Sequence, residues 1–139
     1  KIIDHDDKNS DAYHLLSLIN LLEVKLDDAR DNIVAAINLQ PEIAVYHSNY
    51  GNILFHSNNL EFAIQEHKRA IKLDKKNFQS FYGLGVIYSH LNNYQKSEEY
   101  YLKALLIDSE SSVAHNNLAN IYNKINSLPN KASLEEATN

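Results

Sequence analysis

Apolar and polar positions recur along this chain with the period of a helix. Ala114, Leu118, Ile121, Tyr122 and Ile125 fall at i, i+4, i+7, i+8 and i+11, one stripe along a single face. Between such stripes lie polar breaks, "HSNNLE" at 56–61 and "HLNNYQ" at 90–95, whose Asn-Asn pairs favour turns. Pro41 follows another periodic segment, where it cannot continue a helix. The pattern predicts helices over 10–23, 27–40, 44–57, 60–73, 78–91, 94–107 and 112–126. A further helix is expected near 133, where Ser133 and Glu136 have capping-box spacing.

These helices repeat. Ala29, Ala63 and Ser97 stand 34 residues apart, and Ala36, Ala70 and Ala104 keep the same interval. Leu16, Tyr50, Leu84 and Leu118 form a third column, and the small residues Ser17, Gly51, Gly85 and Ala119 a fourth. Several columns at one spacing, with two helical patterns per unit, are the mark of a helix–turn–helix solenoid. The small column permits close approach of the second helix. Alanines two turns apart on that helix mark its contact line, and Ile33, His67 and Tyr101 between them fill space toward the next unit.

The columns resemble the tetratricopeptide repeat (TPR) family over nearly the whole chain. The resemblance implies an all-α, right-handed superhelix of antiparallel helix pairs whose first helices line a concave surface. It divides the chain into a preceding repeat's tail (1–9), repeats at 10–43, 44–77 and 78–111, and a partial repeat with a lengthened turn at 112–139. "LEEA" at 134–137 matches "LDDA" at 26–29 and "LEFA" at 60–63. Both ends fall inside repeats and no Met is present, so a slice of a longer superhelix is expected. Repeat ends of this kind favour association with further copies.

TPR arrays are typically protein- or peptide-binding modules and not catalysts. On this frame Asn49, Asn52, Phe55, Tyr82, His90, Asn116, Asn117 and Asn120 are the candidate concave-face residues. An Asn amide has two donors and an accepting oxygen, so a row of them can hold an extended peptide backbone. "YHSNYGN" (46–52) and "AHNNLAN" (114–120) are similar to repeats in the TPR superhelix of O-linked N-acetylglucosamine transferases. That likeness implies an Asn ladder, matched here at Asn49 and Asn117, while Leu15 and Gly83 occupy the same column elsewhere. It also makes a substrate-presenting or dimerising part of a modular glycosyltransferase an alternative expectation. The basic clamp of chaperone-binding TPR domains finds little support, because Ser48, Gln79, Gly83 and Val113 stand where its cations belong.

Composition narrows the field. The chain has 139 residues and a net charge of -5, against the basic stripe that nucleic acid requires. With no cysteine there is neither disulfide framework nor thiolate metal site, and no apolar run reaches membrane-spanning length. A soluble, cytoplasmic module without a cofactor is the expectation. His47 and His115 share a column with Tyr13 and Phe81, which suggests packed, hydrogen-bonded rings. His56 and His90 share another column and are expected close together on the inner rim, where their titration near neutrality makes a pH-sensitive groove conceivable. No HExxH or comparable metal-binding pair occurs, nor any nucleophile–base arrangement.

Overall fold

A computed structural model describes residues 8–128. They form seven helices: α1 (Lys8–Leu22), α2 (Leu26–Leu39), α3 (Ala44–His56), α4 (Leu60–Leu73), α5 (Phe78–His90), α6 (Tyr94–Ile107) and α7 (Ser112–Ser127). Each lies within about two residues of its sequence expectation. The capping box at 133–136, the helix after it and most of the 1–9 tail lie outside the described residues.

Local chemistry sets the helix ends. Asn77 and Asn93 accept hydrogen bonds from the amides of Ser80 (3.0 Å) and Lys96 (3.2 Å), and Ser111 from that of Ala114 (3.3 Å). These side chains satisfy amides that a helix start leaves without partners. After α1, α3 and α5 the chain reverses through one left-handed residue each: Val24 (φ 59°), Asn58 (63°) and Asn92 (60°). In each turn the next amide bonds back five residues, as in Lys25 to Asn20 and Asn59 to Leu54, both 2.8 Å. Asn tolerates this conformation, whereas branched Val is strained in it by about 1 kcal/mol or more. Val24 is also 75% exposed, so little packing opposes a change. Val24→Asn is expected to raise stability by about 1 kcal/mol in urea denaturation; an unchanged or lower midpoint would show the turn to be unstrained.

The helices pack as antiparallel pairs, α1 with α2, α3 with α4 and α5 with α6. Each second helix also packs on the next first helix and so is held from two sides. Ala29, Ala63, Ala36, Ala70 and Ala104 are fully buried, as is Ser97, whose hydroxyl donates to the Gly85 carbonyl at 2.7 Å. Small residues here let the helix axes approach closely. Larger side chains then seal the core: Ile33 with Tyr46 and Ile53, Leu54 with Ile87, and Tyr101 with Leu118 and Ile121. Burying one such chain contributes about 1.5–3 kcal/mol. In the stripe along α7, Ala114, Leu118 and Ile121 are buried while Tyr122 and Ile125 are 41% and 38% exposed. No helix among the described residues is long and apolar enough to cross a membrane.

Candidate functional site

The first helices line a groove. A cavity of about 660 Å³ lies among Phe55, Val86, His90, Asn117, Asn120 and Lys124. A second, of about 280 Å³, lies among Asn52, Phe55, Gln79, Tyr82, Gly83 and Val86. Because Phe55 and Val86 wall both, the two spaces adjoin along α3, α5 and α7. Phe55 is also the centre of an aromatic row: the rings of His56 and His90 meet it edge-on at 5.4 and 5.7 Å. The shared column of the two histidines thus flanks one phenylalanine on the inner rim.

Charge is distributed unevenly between helix types. Neither α3 nor α5 contains Asp, Glu, Lys or Arg, and α7 carries one such residue, Lys124. The charged residues of α2, α4 and α6 include Asp27, Asp28, Glu61, Lys68, Lys96 and Glu99. Lys124 itself lies 5.6 Å above the Tyr94 ring. The groove wall is therefore mostly amide, aromatic and aliphatic.

The two ladder asparagines are half-buried and hold the first helices together. The Asn49 side-chain amide donates to His14 Nε2, and that of Asn117 to the Tyr82 hydroxyl at 2.9 Å. Each bond spans 35 residues, the same step in successive repeats. His14 accepts here and so is neutral, in line with a pKa lowered by burial. Between these two bridges the ladder position is Gly83, and a different group occupies the space. The His67 ring of α4 reaches between α3 and α5, where a β-carbon on Gly51 or Gly83 would stand 2.6 or 2.7 Å from it. Two glycines make room for one imidazole.

His67 has no solvent exposure. Its Nδ1 is 3.1 Å from the Ser80 hydroxyl, and its Nε2 has no hydrogen-bond partner among the described residues. Burial pushes its pKa down to about 4, so the ring is neutral at pH 7. Beside the groove the opposite case appears. His47 is buried with Nδ1 2.8 Å from a Glu66 carboxylate oxygen and Nε2 2.7 Å from the Pro41 carbonyl. Both partners only accept, so the geometry is fully satisfied by the doubly protonated imidazolium form of His47. The hydrogen bond to Glu66 raises its pKa most, against the opposing effect of burial. Glu66, itself buried, also accepts from Arg69 at 2.7 Å. His115 repeats half of this arrangement, bonding the Ser109 carbonyl at 2.7 Å while remaining exposed.

Of the sequence-derived candidates, Asn52, Phe55, Tyr82, His90, Asn117 and Asn120 border one or both cavities. Asn49 sits one step away in its bond to His14, and Asn116 is exposed and borders neither cavity. Asn123 borders the larger cavity as well. Among the lining residues that sequence reading missed are Gly83, Tyr101 and Lys124. The repeat interval carried a signal for Lys124, which shares the column of His56 and His90. Among the described residues no three His, Asp or Glu side chains gather where they could hold a metal ion.

Residues 51–92 match the family model described as TPR repeat, and residues 78–111 that described as tetratricopeptide repeat. Curated proteins give no match in sequence. Solved TPR structures align closely in backbone. The Arabidopsis OM64 TPR domain is 18% identical with a TM-score of 0.82, covering 85% of this chain and 98% of its own. The Sgt2 TPR domain from Aspergillus fumigatus is 21% identical at 0.80, covering 85% and 80%. The first TPR of Spaghetti (RPAP3), solved with the HSP90 peptide SRMEEVD, is 17% identical at 0.82, covering 88% and 97%. The described residues thus share the fold of these TPR domains, antiparallel helix pairs packed in series.

Proposed function

We propose that this chain is a binding module that accepts an extended, largely uncharged segment of another protein along α3, α5 and α7. The observation that carries the reading is the pair of adjoining cavities, walled by first helices and lined with amides and aromatic rings. Extended chains present backbone donors and acceptors at regular intervals, and Asn52, Asn120 and Asn123 offer both kinds of group along the wall. The RPAP3 domain shares the fold and was solved with a peptide carrying three carboxylate side chains near its end. A segment of that charge needs cations, and among the described residues Lys124 is the one Lys or Arg bordering these cavities. A neutral segment suits this groove better.

The ladder known from the resemblance to O-linked N-acetylglucosamine transferases enters here in a reduced form. Asn49 and Asn117 each spend one donor within the fold, leaving their remaining hydrogen-bonding capacity for a peptide. No catalytic role is assigned to these residues.

The test begins with a random 12-residue peptide library displayed on phage and panned against the intact chain. Selected peptides should shift amide resonances of α3, α5 and α7. Changing Asn52, Asn120 and Asn123 together to Ala removes up to three neutral hydrogen bonds, or about 2 kcal/mol in all. Affinity should then fall by about thirtyfold. Unchanged affinity with retained helicity would defeat the groove reading.

A further inference from the structure

The C-terminal end of α4 carries a charge pattern that the repeat does not explain. Lys68, Arg69, Lys72, Lys75 and Lys76 fall within nine positions, five of the chain's 13 Lys and Arg residues, although the net charge is -5. Arg69 is paired with Glu66 at 2.7 Å. The four lysines are exposed, and among the described residues none of them is in an ion pair. Lys68 and Lys72 stand one turn apart on α4, and Lys75 and Lys76 continue past its end in the turn to α5.

The neighbouring repeats act as internal controls. One repeat earlier and one later, the place of Lys72 is taken by Asn38 and Leu106, that of Lys75 by Pro41 and Ser109, and that of Lys76 by Glu42 and Glu110. Two of these turns are nonetheless built alike: Asp74 accepts from the Lys76 amide at 3.0 Å, and Asp108 from the Glu110 amide at 3.2 Å. The fold thus takes either sign of charge at this position. A lysine in the last turn of a helix suits its dipole, which accounts for Lys72 but not for the two beyond it. Like charges gathered without counter-charges repel one another, and an anionic partner relieves that repulsion.

The surroundings limit what the partner can be. First helices of successive pairs lie side by side, so the turns leading into α3, α5 and α7 follow one another along one edge of the array. Exposed Glu42 lies in the first of these turns, and exposed Asp108 and Glu110 in the third, on either side of the lysines. At about 8–10 Å per packed helix, two steps leave a positive stretch of roughly 20 Å, the reach of about six extended residues. A flat anionic membrane or a long nucleic-acid strand would press its phosphates against the flanking carboxylates. A short run of acidic side chains fits between them.

We propose that Lys68, Lys72, Lys75 and Lys76 form a docking surface for a short acidic segment of a partner protein, about one Asp or Glu for each lysine. This surface is separate from the groove, since none of the four borders either cavity. Lysine ammonium groups are point charges on flexible stems, so they require carboxylates nearby but no fixed fork geometry. Exposed pairs of this kind act together, are individually weak, and are screened by salt.

The probe is N-acetyl-Gly-Glu-Glu-Asp-Glu-Gly-amide, titrated into the intact chain by NMR, against its uncharged counterpart N-acetyl-Gly-Gln-Gln-Asn-Gln-Gly-amide. The acidic peptide should shift the backbone amides of residues 72–77, and the uncharged one should leave them in place. Raising the salt from about 0.05 to 0.3 M should weaken binding about tenfold. The variant Lys75→Ser with Lys76→Glu installs what the turn between α6 and α7 already carries, so it folds as before. It should bind the acidic peptide about tenfold more weakly. Equal shifts with both peptides, shifts centred on Lys96 and Lys103 instead, or unchanged affinity in the variant would overturn the proposal. So would tighter binding at these residues of a dodecameric oligothymidylate, or of vesicles of phosphatidylserine and phosphatidylcholine, than of the peptide.

Discussion

Replacing Glu66 by Ala lowers stability by about 3 kcal/mol at pH 6 and by clearly less at pH 9. The carboxylate is 5% exposed, and its loss leaves the His47 imidazolium facing Pro41 alone, with one buried N–H unsatisfied. Breaking a buried pair from one side is costly because the remaining charge keeps its desolvation penalty. The pH dependence follows from the direction of the His47 shift. Its folded pKa lies above the ordinary histidine value, chiefly through the bond to Glu66. The contribution is therefore complete below the unfolded pKa and fades as pH rises through the folded one. Urea denaturation of both proteins across this range measures the difference directly. A constant gap from pH 6 to pH 9 would mean that His47 does not carry the second proton.

The second large effect concerns packing. Gly51→Val is expected to cost about 3 kcal/mol, because the new β-carbon would lie 2.6–2.8 Å from three ring atoms of His67. The ring has little room to retreat, since on its other side it lies so near Gly83 that a β-carbon there would stand 2.7 Å from it. Removing the ring removes the conflict. In a His67→Ala background the same Gly51→Val change fills vacated space, so the double variant should be more stable than Gly51→Val alone. The coupling in this cycle should reach about 2 kcal/mol. Equal cost of Gly51→Val in both backgrounds would show that the glycine is required for some reason other than the imidazole.

Most of the architecture was legible before any coordinates. The apolar stripe predicted α7, the Asn-Asn breaks predicted turns, which the structure closes through left-handed Asn58 and Asn92, and the alanine columns predicted the contact line of the second helices. Those signals are local or strictly periodic, and a repeated unit states each of them several times. Val24 shows where the same logic loses force: it holds the turn position that Asn holds in the later units, with no residue-level hint of a left-handed backbone. The groove was legible in part. Asn117 and Asn120 were placed on the inner face by their column, yet Asn116, their neighbour, faces away from both cavities. One helical position is 100° of rotation, so a column without coordinates does not decide which of two adjacent residues lines a wall.

What the sequence by itself determined is the period, the helices and the small residues that let them touch. Each depends on residue type at a fixed interval, and a 34-residue repeat carries that information redundantly. The tertiary structure alone decided that Gly51 and Gly83 make room for the buried His67 ring, that its Nε2 is left without a partner among the described residues, and that His47 stands between two acceptors, Glu66 and Pro41. These outcomes depend on side chains from different helices meeting within a few ångströms. The columns place such residues in neighbouring helices; whether their atoms meet, bond or leave a gap depends on distances that spacing along the chain does not contain.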